Sequence, residues 1–443
     1  MRFSSLNEWL EWQEGLHPST IELGLERVTK VFKRLHSTLP STPVITVAGT
    51  NGKGSSVALL ESIYQNAGYQ TGVYTSPHLL RYNERIHLNG EEVSDEAICE
   101  AFERIDQARL EDNEEISLTY FEFGTLAALD IFFREKPDVI ILEVGLGGRL
   151  DVVNIIDADV ALITSIGIDH TGWLGHDRET IAVEKAGIMR INRPAIFSSP
   201  DMPKSIRQAA DEKGATLYCR GQDFDWQEST AATGTPPSWN WKTYSSKSSR
   251  STSSNKQRTA LPLPNIRGKH QVDNAAGVLM AVECLSDKLP VNQQQVKAGL
   301  LSVSLLGRFQ CSTDVASNIL HILDVAHNED SISCLASLLN KFSCEGKTFA
   351  VLGMLEDKEH GEALSRILPQ ISQWFISDLE VSRGMKGADL MSIVKGLDSN
   401  AVVSNFSNVK EAIKAADSVA TNADRVVIFG SFYTVEFAIQ LGI

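Results

Sequence analysis

The 443-residue chain has no run approaching the roughly 18 apolar residues that a membrane-spanning helix needs. Residues 1–12 lack the apolar core of a secretory signal. Cysteine is sparse: Cys99, Cys219, Cys284, Cys311, Cys334 and Cys344 are scattered, and none forms a C-x-x-C pair. That spacing argues against a disulfide framework or structural zinc and for reduced thiols. Positive charge is also short. The 41 Lys plus Arg against 56 Asp plus Glu give a formal charge of −15 and a pI near 5.2. A general nucleic-acid or membrane-surface binder would show a basic face, so neither partner is expected. A small anionic ligand is not excluded, because a local cluster of N–H donors overrides net charge. There are no tandem repeats. These absences predict a soluble, cytoplasmic protein that handles small molecules, expected to act as a monomer.

What is present is an ordinary globular composition, 42% hydrophobic, in a chain long enough for two or three domains. The first 40 residues read as helical and amphipathic, with Leu6, Trp9 and Leu10 at helical spacing. Residues 44–48, 138–142 and 159–164 are short β-branched runs without alternation, the pattern of strands buried on both faces of a parallel sheet. Helical patterns at 55–67, 120–136 and 179–189 separate or follow them, which predicts an α/β sheet. Strand-like runs resume at 319–325, 347–353 and 425–430, so a second α/β domain is expected, with the boundary near 296–306. We place the domains at 1–298 and 299–443. Residues 228–260 are of low complexity, Ser-, Thr-, Lys- and Arg-rich at 245–259, and predict a mobile insertion. Trp239 and Trp241, and Phe224 with Trp226, alternate with polar neighbours and predict a hairpin flanking it, with a disordered tip. Residues 91–115 carry eleven acidic residues against Arg104 and Arg109, read as a solvated helical face.

The chemistry concentrates where strands end. Gly49-Thr50-Asn51-Gly52-Lys53-Gly54-Ser55-Ser56 follows one buried strand and opens a helix. Glycines let backbone N–H groups wrap a phosphate, Lys53 adds a point charge, the helix N-terminus adds partial positive charge, and the Ser55 hydroxyl can reach a nucleotide-bound Mg²⁺. The strict G-x-x-x-x-G-K-[ST] pattern is not met, since Val47 stands at its first glycine and Gly54 follows Lys53. Glu143 ends a second strand, and Asp169 and His170 follow a third. If these strands are parallel neighbours, Ser55, Glu143 and His170 converge at the sheet's carboxyl edge, where ligands bind. A carboxylate there suits a hard cation, whereas imidazole is an unusual Mg²⁺ ligand. Glu143-Val144-Gly145-Leu146-Gly147-Gly148-Arg149-Leu150-Asp151 contains G-x-G-G, not a dinucleotide fingerprint, and reads as backbone packed close to a ligand. Taken alone, Lys185 reads as a surface helix lysine, and Asp324-Val325-Ala326-His327-Asn328 as a strand end and turn.

These motifs, with Ser76-Pro77-His78, Glu184-Lys185-Ala186-Gly187-Ile188 and His270-Gln271 with Asn274, occur in an order that resembles the folylpolyglutamate synthase/dihydrofolate synthase branch of the Mur ligase superfamily. The resemblance spans nearly the whole chain. Leu118-Thr119-Tyr120-Phe121-Glu122-Phe123-Gly124-Thr125 looks like the bifunctional bacterial form. It implies an N-terminal P-loop ATPase domain with a parallel-rich sheet and a smaller C-terminal Rossmann-like domain, with ATP between them. It also implies an amide ligase that phosphorylates a substrate carboxylate with ATP and lets the amine of L-glutamate attack the acyl phosphate. The substrates would be dihydropteroate and reduced folates.

By the same resemblance, Gly49 to Ser55 hold the nucleotide. Ser55 and Ser76 help hold one Mg²⁺, and Glu143 bridges to a second that His170 also ligates. Lys185 matches a carbamylated lysine, an anion able to support the second metal. Asn274, Arg308, Asp324 and His327 close over the nucleotide, while Thr119, Phe121 and Asp151 line the pterin side. Lys53, Lys185, His170 and Glu143 would thus carry the chemistry. The family's D-A-T-N reads Asp151-Val152-Val153-Asn154 here, Leu306 stands where proline is common, and the 245–259 insertion is outside the pattern. The alternatives are a monofunctional folylpolyglutamate synthase, a cell-wall Mur ligase, and a nucleotide-binding regulator without ligase chemistry.

Overall fold

The computed structural model describes residues 2–19, 21–38, 41–111, 114–229, 236–244, 256–313, 317–381 and 383–443. The chain divides into two compact units. The first comprises Met1–Ile166, His176–Asn265 and Gln271–Val303; the second comprises Gly167–Gly175, Ile266–His270 and Ser304–Ile443.

The first unit is built on an eight-stranded sheet formed by β1 (Val44–Ala48), β2 (Thr71–Tyr74), β3 (Ile86–Leu88), β4 (Glu91–Glu92), β5 (Val139–Glu143), β6 (Val160–Ile163), β7 (Pro194–Phe197) and β8 (Thr216–Cys219), in the order β4-β3-β2-β5-β1-β6-β7-β8. Strands β2, β5, β1, β6, β7 and β8 run parallel, and β3 and β4 add an antiparallel edge. Every residue of β1 and β5 is buried, which is why these runs are apolar without alternation. The three strands expected from the sequence are indeed parallel neighbours, with β1 between β5 and β6.

A separate three-stranded antiparallel sheet joins β9 (Phe224–Glu228), β10 (Ser238–Thr243) and β11 (Gln257–Pro262). The alternating tryptophans do mark a hairpin. Trp239 and Trp241 are fully buried, and their indole N–H groups donate to Pro262 O at 2.8 Å and Ala276 O at 3.1 Å. The low-complexity stretch is nonetheless smaller than composition suggests. Its residues 238–243 and 257–260 lie in strands, because Trp239, Trp241 and Leu261 supply the buried face that the polar sequence between them lacks. Residues 230–235 and 245–255, where the mobile tip was expected, lie outside the described residues.

The acidic segment also differs from expectation. In the helix Asp95–Arg109, Asp106 and Arg109 are buried as an ion pair at 2.8 Å, and the Arg109 guanidinium lies 5.2 Å from the centre of the Trp12 ring. Helical spacing turns these two residues inward, while the other charges of the helix remain near solvent.

The second unit contains β12 (Gln310–Thr313), β13 (Leu320–Asp324), β14 (Thr348–Leu352), β15 (Gln373–Ser377), β16 (Val403–Phe406) and β17 (Arg425–Phe429), in the order β12-β13-β17-β14-β15-β16. All pairings are parallel except β12 with β13. Its core includes Ile322, Leu335, Ala350, Trp374, Ile376, Leu390 and Val427.

Neither unit is one unbroken stretch, unlike the expected division at 298. The main break falls after Val303, and two short segments from the first 298 residues pack with the second unit. Local contacts explain both. Asp169 pairs with Lys358 at 2.7 Å, with both side chains over nine-tenths buried, and Arg267 lies 5.0 Å over the Phe342 ring.

Candidate active site

The loop after β1 is held from three directions. Thr50 N–H donates to Ser165 O at 2.8 Å, and the Thr164 and Ser165 hydroxyls donate to Asn51 O at 2.7 and 3.1 Å. Gly52, at φ +87°, caps the helix Lys53–Asn66; a Cβ there would sit 2.5 Å from Asn274 Oδ1. Asn274 is buried and donates to Gln271 Oε1 at 3.0 Å, so it packs directly against the loop. Lys53 Nζ folds back onto Gly49 O at 3.1 Å and Thr50 O at 3.3 Å. Lys185 Nζ donates to Gly49 O at 3.0 Å. Lys185 is only 4% exposed, which removes the surface-lysine reading of this residue.

Topology gathers the oxygen ligands. Ser76 lies two residues beyond β2, Glu143 ends β5 and Ser55 follows β1, and these three strands are adjacent in the order β2-β5-β1. Parallel strands put their carboxyl ends at one edge, so the three side chains issue from neighbouring positions along it. Glu143 is 5% exposed, next to Val47 of β1 in register. Among the described residues, no three His, Cys, Asp or Glu side chains gather into a metal-holding group. A hydroxyl-and-carboxylate set of this kind suits a hard cation whose remaining ligands are phosphate oxygens and water.

The pterin-side candidates fall around the glycine loop after β5. A Cβ on Gly145 would meet the Phe121 ring at 2.5 Å, so ring and backbone are in direct contact. Phe121 also lies 6.1 Å from the Tyr74 ring. Asp151, 2% exposed, accepts Leu146 N–H at 2.8 Å and Val153 N–H at 3.1 Å, pinning the loop under Phe121. Burial pushes the Asp151 carboxyl up to about 6, against the pull of those N–H groups. Thr119 has a structural role: its hydroxyl accepts Glu122 N–H at 3.2 Å and caps the helix Tyr120–Glu135. Val152 and Val153, the departures from D-A-T-N, are buried core residues.

Arg308, Asp324 and His327 assemble in the second unit. Asp324 closes β13 and accepts N–H groups from Phe309 and Ala326, each at 2.9 Å. Burial raises its carboxyl, with the Arg308 charge opposing. Arg308 and His327 both face the Phe432 ring, at 5.4 and 6.4 Å. His327 Nδ1 lies 2.7 Å from Val325 O.

His170 follows β6 in sequence, and its segment, Gly167–Gly175, groups with the second unit. Its neighbour Asp169 receives Lys358 Nζ at 2.7 Å and Asn328 Nδ2 at 3.1 Å. Burial alone would raise the Asp169 carboxyl. The hydrogen bond with His327 and the charges of Lys358 and His170 outweigh it and hold the group well below the usual carboxylate range.

Two groups escaped the sequence reading. Thr164 and Ser165 directly follow β6, so their strand-end position was a usable signal. Lys358 had none, because its partner lies 189 positions away. A third cluster sits next to the Ser76 turn: Arg85 donates to His78 Nδ1 at 2.7 Å and stacks on Tyr82 at 5.3 Å and Tyr120 at 5.6 Å. Burial and the Arg85 charge push His78 down to about 4, so it is neutral.

Comparison with known proteins agrees with this architecture. The Mur ligase middle-domain profile matches residues 47–282, and the Mur ligase glutamate ligase domain profile matches residues 307–432. The chain is 42% identical over 438 residues, 99% of its length, to the dihydrofolate synthase/folylpolyglutamate synthase of Escherichia coli, covering 96% of that protein. The structure of E. coli FolC in complex with DHPP and ADP superposes with a TM-score of 0.88 at 40% identity, covering 99% of this chain and 97% of that one. A bifunctional folylpolyglutamate synthase/dihydrofolate synthase with Mn, AMPPNP and L-glutamate bound gives a TM-score of 0.86 at 41% identity, covering 99% and 98%.

Proposed function

The chain belongs to the dihydrofolate synthase/folylpolyglutamate synthase family of Mur ligases, and from that premise we propose how its residues divide the work. It is an ATP-dependent amide-forming ligase. ATP phosphorylates the carboxylate of dihydropteroate or of a reduced folate, the L-glutamate amine attacks the acyl phosphate, and phosphate leaves. A carboxylate is a poor acyl donor, and the phosphoryl group supplies the missing leaving group. Positioning and charge stabilisation then carry most of the rate.

The loop Gly49, Thr50, Asn51, Gly52, Lys53, Gly54 and Ser55 binds the phosphates through backbone N–H groups, with Lys53 leaving its loop carbonyls for the phosphate oxygens. Asn274, Arg308, Asp324 and His327 complete nucleotide binding. Ser55, Ser76 and Glu143, with His170, would hold divalent cations, Mg²⁺ in the cell. When bound, such a cation neutralises charge on the β- and γ-phosphates. Phe121 stacks on the flat pterin while Asp151 fixes the loop beneath it. Lys185, buried at the phosphate loop, is carbamylated and carries negative charge to the metal-holding side chains.

We read the protein as a cytoplasmic monomer, its formal charge of −15 disfavouring nucleic-acid and membrane-surface partners. Among the described residues, no helix is long and apolar enough to cross a membrane. One observation supports this reading above the others: the adjacent strand ends β2, β5 and β1 deliver Ser76, Glu143 and the Lys53 loop together. The test is Lys185→Ala, expected to be inactive and partly restored by short carboxylic acids. Full activity without rescue would exclude the carbamate.

A further inference from the structure

Residues 148–154 form a clamp on the chain that carries Lys185. Arg149 N–H donates to Glu184 O at 2.8 Å, and its guanidinium donates to Glu184 Oε1 at 2.9 and 3.2 Å. The two segments cross with no room between them. A Cβ on Gly148 would lie 3.1 Å from Lys185 Cα, and one on Gly187 would lie 2.3 Å from Arg149 Cα. Asn154 joins both sides of the crossing. Its amide, in a residue only 8% exposed, donates to Arg149 O at 3.0 Å and Gly187 O at 3.3 Å. Its Oδ1 and backbone carbonyl accept from Arg190 Nη2 at 2.9 and 3.0 Å. Arg190 Nη1 and Lys213 Nζ also donate to Gly187 O, each at 3.2 Å. Glu184, immediately before Lys185, and Gly187, two residues after it, are therefore both tied to one short loop.

We propose that Asn154 and Arg149 are positioning residues for Lys185, holding its backbone so that the side-chain nitrogen stands at Gly49 of the phosphate loop, where it takes up dissolved carbon dioxide. The inference rests on the carbamate reading above. In the step itself, the unprotonated nitrogen attacks the carbon of CO₂, an N–C bond forms as one C–O π bond opens, and the N–H proton passes to water. The product is a carbamate anion. A long side chain amplifies any slip of its backbone, and a displacement of about 1 Å costs on the order of 100-fold in rate. A loosened clamp thus weakens carbamate formation as well as turnover.

The experiment uses the full chain, with Asn154→Ala and Arg149→Ala beside Lys185→Ala. Arg149 is half exposed at its side chain, so its truncation leaves folding intact even where loss of the buried Asn154 amide lowers the melting temperature. Protein equilibrated with ¹³C-bicarbonate is read by ¹³C NMR for a lysine carbamate carbon, and glutamate-dependent ADP release is read with and without added bicarbonate. Wild type should show the carbamate resonance, Lys185→Ala should lack it, and both clamp variants should lose most of it at ambient CO₂. Their ADP release should fall on the order of 100-fold and recover severalfold with bicarbonate, while wild type does not respond. Clamp variants that keep the full resonance, or lose activity with no bicarbonate response, would overturn the positioning role. A wild type without the resonance would instead remove the carbamate itself, and this role with it.

Discussion

Replacing Gly52 with alanine probes the packing of the phosphate loop, and its cost has two separable parts. The first is backbone strain: Gly52 sits at φ +87°, where an L side chain costs about 1 kcal/mol. The second is crowding. The new Cβ would lie 2.5 Å from Asn274 Oδ1 and 3.0 Å from its Nδ2, and overfilling a packed site costs about 1–3 kcal/mol. Gly52→Ala should therefore destabilise the protein by about 2–4 kcal/mol. Because the clash is with the end of a side chain, Asn274→Ala removes it and leaves the strain untouched. In chemical denaturation followed by circular dichroism, the double variant should lose less than the sum of the single losses, by about 1–3 kcal/mol. Additivity within about 0.5 kcal/mol would show that Asn274 does not press on the loop, and the reasoning that places it at the nucleotide would fail.

Other perturbations give equally direct readings. Lys53→Ala should keep its circular dichroism spectrum and lose turnover, because an ammonium about 4 Å from a phosphate is worth on the order of 4 kcal/mol at an effective dielectric of 20; near-normal ADP release would remove Lys53 from the site. Asp151 has a folded carboxyl raised to about 6, above its unfolded value near 3.9. Its ionisation thus opposes folding: stability should fall as pH rises from about 4 to 6 and then level off, a loss of about 3 kcal/mol. In denaturation profiles, Asp151→Asn should lack that decline, and an unchanged profile would contradict the burial argument. Lys358→Met leaves the buried Asp169 carboxylate without its ammonium, at a cost of about 3–5 kcal/mol; adding Asp169→Asn should recover part of that loss in the same denaturation assay.

Much of this is legible in the sequence. The runs at 44–48, 138–142 and 159–164 are β-branched and uninterrupted, because burial on both faces removes the need for a polar alternate, and they proved to be β1, β5 and β6. The loop from Gly49 to Ser55 was readable because strand, glycines and helix start are contiguous. What stayed hidden depends on partners distant in sequence. Buried Lys185 donates to Gly49, 136 positions earlier. Asp169 and His170 join the second unit through Lys358, and nothing local to either end announces that pair. Asp106 and Arg109 looked like members of a charged face because only tertiary packing turns them onto Trp12. Asn154 looked like the tail of a motif, while its importance lies in four hydrogen bonds to backbone and Arg190 that no spacing encodes.

The central claim is ligation of L-glutamate to both a pteroate and a folate at one ATP site. ADP release measured with L-glutamate and either dihydropteroate or tetrahydrofolate tests it most directly. The account predicts glutamate-dependent ADP release with each of the two acceptors, and its loss with both in Lys53→Ala. Turnover with tetrahydrofolate alone would contradict the dual activity, and ATP hydrolysis indifferent to glutamate would contradict the ligase.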